Sequence, residues 1–264
     1  MKCIKRVFRL AIPIVGTAMF VLVIQNTIGF YNFRIQSVLQ NSWLAHLYEK
    51  PLTIIDAVEE PFSVLFLGKS KFNSPFWCLR DMFISSILIY SVSWIGKKNT
   101  MRILLFALIL FSLVANRSVI VACLIGAIAG TVKEQFSRVM VSEYIGTYGI
   151  IAPIVAYLSG NQLIMDVAFA LFLLLVSRDS IIKLFFETKI LQELGDISFG
   201  IYALHWSVIN SVGLGIFLVL YKKVNASAVV FLSFLGILAV TIMLAILFRK
   251  TIEKLTSIIC NKIH

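Results

Sequence analysis

Residues Leu194–Val208 read LGDISFGIYALHWSV and set a histidine, His205, inside a run otherwise suited to lipid. From Ile197 the run continues to Tyr221, longer than the about 20 residues that carry a helix across about 30 Å of hydrocarbon. The whole chain shares this character. Its 264 residues are 59% hydrophobic and 14% charged, with a mean hydropathy of +0.94. A soluble domain of this length cannot bury so much apolar surface. Backbone groups in lipid must be satisfied within their own segment, which selects helices. The expected fold class is therefore all-α, a polytopic transmembrane bundle.

About eight spans are expected: Leu10–Phe30, Phe76–Ile95, Met101–Val114, Ser118–Thr131, Tyr148–Leu158, Gln162–Ser177, Ile197–Tyr221 and Ala226–Phe248. The third, fourth and fifth are short. Asn116 and Arg117 interrupt one apolar block and read as a turn between two helices, the alternative being one long tilted helix. The chain reads as a single membrane domain over residues 1–264. Residues 31–75 form an ordered outer-face loop and residues 249–264 a cytoplasmic amphipathic tail, with Glu253 a solvated charge upon it.

Basic residues orient the chain. With the N-terminus in the cytoplasm, that side receives Lys2, Lys5, Arg6, Arg9, Lys97, Lys98, Arg102, Lys133, Arg138, Arg178, Lys183, Lys189, Arg249, Lys250, Lys254 and Lys262. The outer side receives only Arg34, Lys50, Lys69, Lys71, Arg117, Lys222 and Lys223. Both termini are then cytoplasmic, and the location is the cell membrane. The net charge of +11 is explained by topology and anionic headgroups, with no nucleic-acid partner needed. Residues 1–24 resemble a signal peptide but lack a small-residue cleavage site, so they stay as a first span. The four cysteines, Cys3, Cys78, Cys123 and Cys260, have no ligand-like spacing, so neither a metal site nor a disulfide framework is expected.

Polar residues inside spans cost free energy and each needs a reason. On a helix beginning at Ile197, Ser198, Tyr202 and His205 fall within an arc of roughly 60°. His205 lies about 12 Å along the axis. A hydroxyl, a phenol and an imidazole on one stripe suit proton transfer or binding of a polar ligand, and equally a structural histidine bonded to a neighbouring helix. In WCLRDMF, Arg80 and Asp81 project about 100° apart, so each needs a partner on another helix or water; Arg80 also lies close enough to a span end to snorkel. Asp166 is similarly placed. Arg6 and Arg9 share a face at the cytoplasmic mouth of the first span, where two guanidinium forks suit phosphates or simple membrane anchoring.

The segment LGDISFGIYALHWSV resembles a hallmark of the acyltransferase-3 family, at Leu194, Gly195, Ile197, Ser198, Phe199, Tyr202, His205 and Trp206. KRVFRLAIP resembles the family's basic segment with its Arg-x-x-Arg pair, Arg6 and Arg9. FNSPFWCLRDMF resembles its Asn-x-Pro-x-Trp-x-Leu-(Arg/Lys) entry into a later span, and RKTIEKL the Ile-Glu-(Lys/Arg) element after its last span. Members move acyl groups, usually acetyl, onto sugars of surface glycans. The resemblance implies an acyl-CoA donor, acetyl-CoA in the usual case, held by Arg6 and Arg9. It implies catalytic His205, Tyr202 and Ser198, substrate-binding Trp77, Arg80 and Asp81, and a glycan or lipid-linked sugar acceptor. Met82 departs from the family, which often has a carboxylate there. Members usually have ten core spans, the first carrying an arginine and an essential histidine. This chain opens on the segment that resembles the third. The expectation is therefore an N-terminally incomplete member, weakly active alone or completed by a second subunit. Rival readings are a catalytically degenerate partner subunit and a transporter of a glycan or acyl intermediate.

Overall fold

A computed structural model describes residues 2–39, 46–95, 97–137, 151–176 and 181–263. Among these residues the chain is helical and contains no strand. Thirteen α-helices can be numbered in chain order: α1 Lys2–Thr27, α2 Asn32–Leu39, α3 Ile54–Phe62, α4 Trp77–Ser93, α5 Lys98–Val114, α6 Ser118–Ser137, α7 Ile151–Leu158, α8 Gln162–Val176, α9 Ile181–Phe186, α10 Lys189–Val208, α11 Leu214–Leu220, α12 Ala226–Phe248 and α13 Lys254–Lys262. Three π-helical turns, Ser63–Leu67, Ile209–Gly213 and Arg249–Glu253, join neighbouring helices or follow one. Such turns insert a residue into the ordinary hydrogen-bond ladder.

Four stretches are long and apolar enough to cross a membrane: Cys3–Thr27, Ser74–Ser93, Lys189–Leu220 and Ala226–Lys262. Ser118–Thr131 and Gln162–Leu174 are shorter apolar helices. The expectation of about eight spans thus meets four full-length candidates among the described residues. Residues 148–150 of the expected Tyr148–Leu158 span, Ser177, Arg138, Arg178, Trp43 and Leu44 lie outside the described residues.

The chain divides into two compact units, residues 3–80 with 195–264, and residues 81–194. In the first, glycines set the helix approaches. A Cβ on Gly200 of α10 would lie 3.1 Å from the Cα, Cβ and carbonyl oxygen of Ala245 on α12, so these two backbones touch. Ile237 fills the space over Gly213 while Ile216 fills that over Gly236, a reciprocal fit between α12 and the π-turn–α11 segment. The π-turn Ile209–Gly213 also carries Asn210, fully buried. Its side chain accepts from Asn32 Nδ2 at 2.5 Å and donates to the Trp206 carbonyl at 2.6 Å.

Residues 46–76 pack on the far half of α1. Ala18, Val21 and Leu22 form a core with Ala57 and Phe72. The Gln25 side chain makes both hydrogen bonds to the Leu52 backbone, at 3.1 and 2.8 Å. Thr53 and Asp56 form a capping box at the start of α3, which satisfies two otherwise orphaned N–H groups. Glu60, 1% exposed, accepts from the Ser70 hydroxyl and from the backbone N–H of Lys71 and Phe72.

Two carboxylates of this segment, Asp56 and Glu60, pull in opposite directions. Hydrogen bonds from Lys71 and Thr53 lower Asp56 from 3.8 to about 2, so its contribution is lost as the pH falls through that range. Burial raises Glu60 above its ordinary 4.5 despite its donors, so the segment weakens as the pH rises through the raised value. Protection of the 46–76 amides from hydrogen exchange should therefore peak between the two ordinary values, 3.8 and 4.5. Glu60→Gln should flatten the alkaline limb alone; an unchanged profile would remove Glu60 as its cause.

The second unit is built on α4, α5 and α6, whose buried Val92, Leu105, Ile109, Ile120, Val121 and Leu124 form one core. Arg102 of α5 donates to the Thr131 carbonyl of α6 at 3.0 Å. Asn116 sits in the left-handed region at φ 57°, and Arg117 N–H closes on the Ser112 carbonyl at 2.9 Å. The expected turn at Asn116–Arg117 is therefore present, and the single long helix is excluded. Gly160, φ 65°, turns α7 into α8.

Candidate functional site

The long segment Lys189–Leu220 carries His205 inside the first unit. At its start, Asp196 accepts from Arg249 Nη2 at 2.5 Å. His205 is nine residues beyond Asp196, about 13 Å along the axis at about 1.5 Å per residue. Its Nδ1 lies 2.8 Å from the Tyr202 carbonyl and 3.2 Å from that of Ile201. Carbonyl oxygens only accept, so Nδ1 carries a proton, and in the neutral imidazole the lone pair is on Nε2. A half-buried imidazole held in this tautomer can take a proton at Nε2.

Tyr202 is placed differently from a free acid. Its hydroxyl donates to the Pro75 carbonyl at 2.7 Å, and Cys78 Sγ lies 3.1 Å from the same oxygen. The thiol has one proton, and Sγ also lies 3.5 Å from the Pro75 carbonyl, so Tyr202, Cys78 and Pro75 form one hydrogen-bonded cluster. Phe76, fully buried, packs its ring 5.7 Å from that of Tyr202. Asn73 Nδ2 donates to the Ala203 carbonyl at 2.7 Å, one residue along the same helix. Two polar ties from residues 73–75 therefore fix α10 beside His205.

Asn73, Pro75 and Cys78 were not expected at the site from the sequence. FNSPFWCLRDMF contains all three, and the pattern of an asparagine two residues before a proline was the available signal.

The other expected residues are spread. Ser198 is exposed and donates to the Gly195 carbonyl at 2.7 Å, which leaves it on the His205 helix without a bond to the Tyr202 cluster. Trp77 is 58% exposed. Arg80 lies across Gly68 and reaches the Leu67 carbonyl at 3.5 Å. Gly68 has φ 68°, and a Cβ there would sit 3.2 Å from Arg80, so the turn needs glycine on both counts. Asp81 belongs to the second unit, 7% exposed, with Arg117 Nη1 4.0 Å from its carboxylate. The partner it required on another element is thus Arg117.

Arg6 is half-buried on α1 and Arg9 is exposed. Arg6 Nε is buried without a hydrogen-bond partner among the described residues. This end of α1 runs beside the C-terminal helix, with Cys260 Sγ 3.8 Å from the Lys5 carbonyl and Ile252 against Gly16. Glu253 departs from its expected place as a solvated charge: it is half-buried, and its Oε1 has no partner among the described residues. Glu253 is the last residue of the π-turn Arg249–Glu253.

The sequence matches the family model described as an acyltransferase domain over residues 1–249. No curated protein and no solved structure matches the chain.

Proposed function

The chain belongs to the acyltransferase-3 family, and on that premise we propose that it transfers an acetyl or related acyl group from acyl-CoA to a hydroxyl of a cell-surface glycan. The observation that carries the reading is the His205 tautomer, with Nδ1–H bonded to backbone carbonyls and Nε2 left basic. Nε2 takes the proton of the acceptor hydroxyl as its oxygen attacks the thioester carbonyl. The carbon–sulfur bond breaks, and the imidazolium returns the proton to the departing thiolate, giving acyl ester and free CoA. Acyl-CoA approaches from the cytoplasm, with both chain termini on that side of the cell membrane, and the shorter helices α5, α6, α7 and α8 complete a bundle of about eight spans.

Arg6 and Arg9, one turn apart at the start of α1, hold the phosphates of CoA. Trp77, Arg80 and Ser198 shape the surroundings of the acceptor and donor rather than exchange protons. The test is transfer of radiolabelled acetyl from acetyl-CoA to glycan by the purified chain in nanodiscs. Label in an alkali-labile ester supports the reading. Absence of both transfer and CoA release by folded protein overturns it.

Arg6→Gln with Arg9→Gln should raise the KM for acetyl-CoA about tenfold or more while leaving kcat within a few-fold, because charge-assisted hydrogen bonds contribute about 1.5–3 kcal/mol each. An unaltered KM removes the pair from the donor site.

A further inference from the structure

Asp166 and Arg117 have no part in the reaction above, yet they line one cavity in the second unit. Its volume is about 330 Å³, at the lower end of small-molecule sites.

The 330 Å³ cavity lies between two turns, Asn116–Arg117 and Gly160–Gln162, and the helices α6 and α8 that follow them. Asn161 fixes the second turn, its side-chain oxygen accepting from the N–H groups of Leu163 and Ile164 at 3.0 and 3.3 Å. Gln162 Nε2 donates to Asp166 Oδ1 at 3.0 Å. Asp166 Oδ2 is buried and has no partner among the described residues. A buried carboxylate oxygen left without a donor is costly, on the order of 1–3 kcal/mol or more, and a ligand hydroxyl in the cavity satisfies it.

Charge narrows the ligand. The lining holds one cation, Arg117, and one carboxylate, Asp166. An anion meets Asp166 and a cation meets Arg117, so a neutral molecule that both donates and accepts is favoured. Leu113, Val121 and Leu163 line the same space and offer an apolar surface to the C–H face of a ring. We propose that this cavity binds one neutral saccharide ring, with Asp166 Oδ2 accepting from a ring hydroxyl and Arg117 donating to a ring oxygen. The binding itself does not rest on the proposed function.

The test is saturation-transfer NMR on the full chain in nanodiscs, with glucose, N-acetylglucosamine and glucuronate as probes. The near-isosteric Asp166→Asn and the cavity-filling Leu163→Trp each perturb the site, and thermal melting checks that both fold. Binding of a neutral sugar that weakens about tenfold or more in both variants supports the cavity, in line with loss of a charged hydrogen bond. Wild-type protein that binds no probe overturns it, as do variants that bind like wild type or a preference for glucuronate. Sugar binding without acyl transfer sinks the proposed function and leaves the cavity standing, whereas transfer without sugar binding does the reverse.

Discussion

His205→Ala should lower acyl transfer by about 10²–10⁴-fold, the usual contribution of a positioned general base, with little change in the KM for acyl-CoA. The expectation follows from the Nδ1 contact at 2.8 Å to the Tyr202 carbonyl, which fixes the proton on one nitrogen and exposes the lone pair of the other. Tyr202→Phe separates positioning from proton transfer. It removes the bonds to Pro75 and Cys78 but leaves the Tyr202 carbonyl that holds the tautomer. Its turnover should fall far less than that of His205→Ala, with a loss of stability of about 0.5–1.5 kcal/mol per hydrogen bond. Steady-state kinetics on both variants decide the assignment. Equal turnover of His205→Ala and wild type, with melting unchanged, would falsify the base role.

Gly200→Leu should abolish or severely reduce the yield of folded protein. The atoms that a Cβ meets at 3.1 Å belong to the Ala245 backbone as well as its side chain, so no rotamer change relieves the clash and α10 and α12 must separate. Overpacking a close-packed interior typically costs about 1–3 kcal/mol, and a side chain this large at a backbone contact lies at or above the upper end. The displacement also moves His205, five residues further along the same helix. Gly126→Ala is the matched control. Nothing lies within 4 Å of its added Cβ, and the gain in helix propensity of about 0.5–1 kcal/mol makes it neutral or stabilising. Melting temperatures in one detergent compare the two. Equal stability of Gly200→Leu and wild type would refute the close approach.

Much of the site's helix was legible because its cause is local. Apolar length made residues 197–221 a span, and 100° per residue put Ser198, Tyr202 and His205 on one stripe. The turn at Asn116–Arg117 was legible for a similar reason, since two polar residues interrupt an apolar block. The resemblance to the acyltransferase-3 family was legible in motif residues and is borne out by the match over residues 1–249. What the stripe touches was not legible. Tyr202 meets Pro75, 127 residues away in sequence, and Asn73 meets Ala203, 130 residues away. Nothing in either local pattern encodes the other.

The sequence by itself determined an all-helical chain suited to lipid, the phase of its polar stripe and its family, because composition, periodicity and motif are properties of contiguous residues. Only the tertiary structure decided that the Tyr202 hydroxyl is tied to the Pro75 carbonyl, that Arg80 covers Gly68, and that Asp81 meets Arg117. Each of those outcomes depends on which distant backbone or side chain presents a matching donor, acceptor or gap, and packing alone selects it.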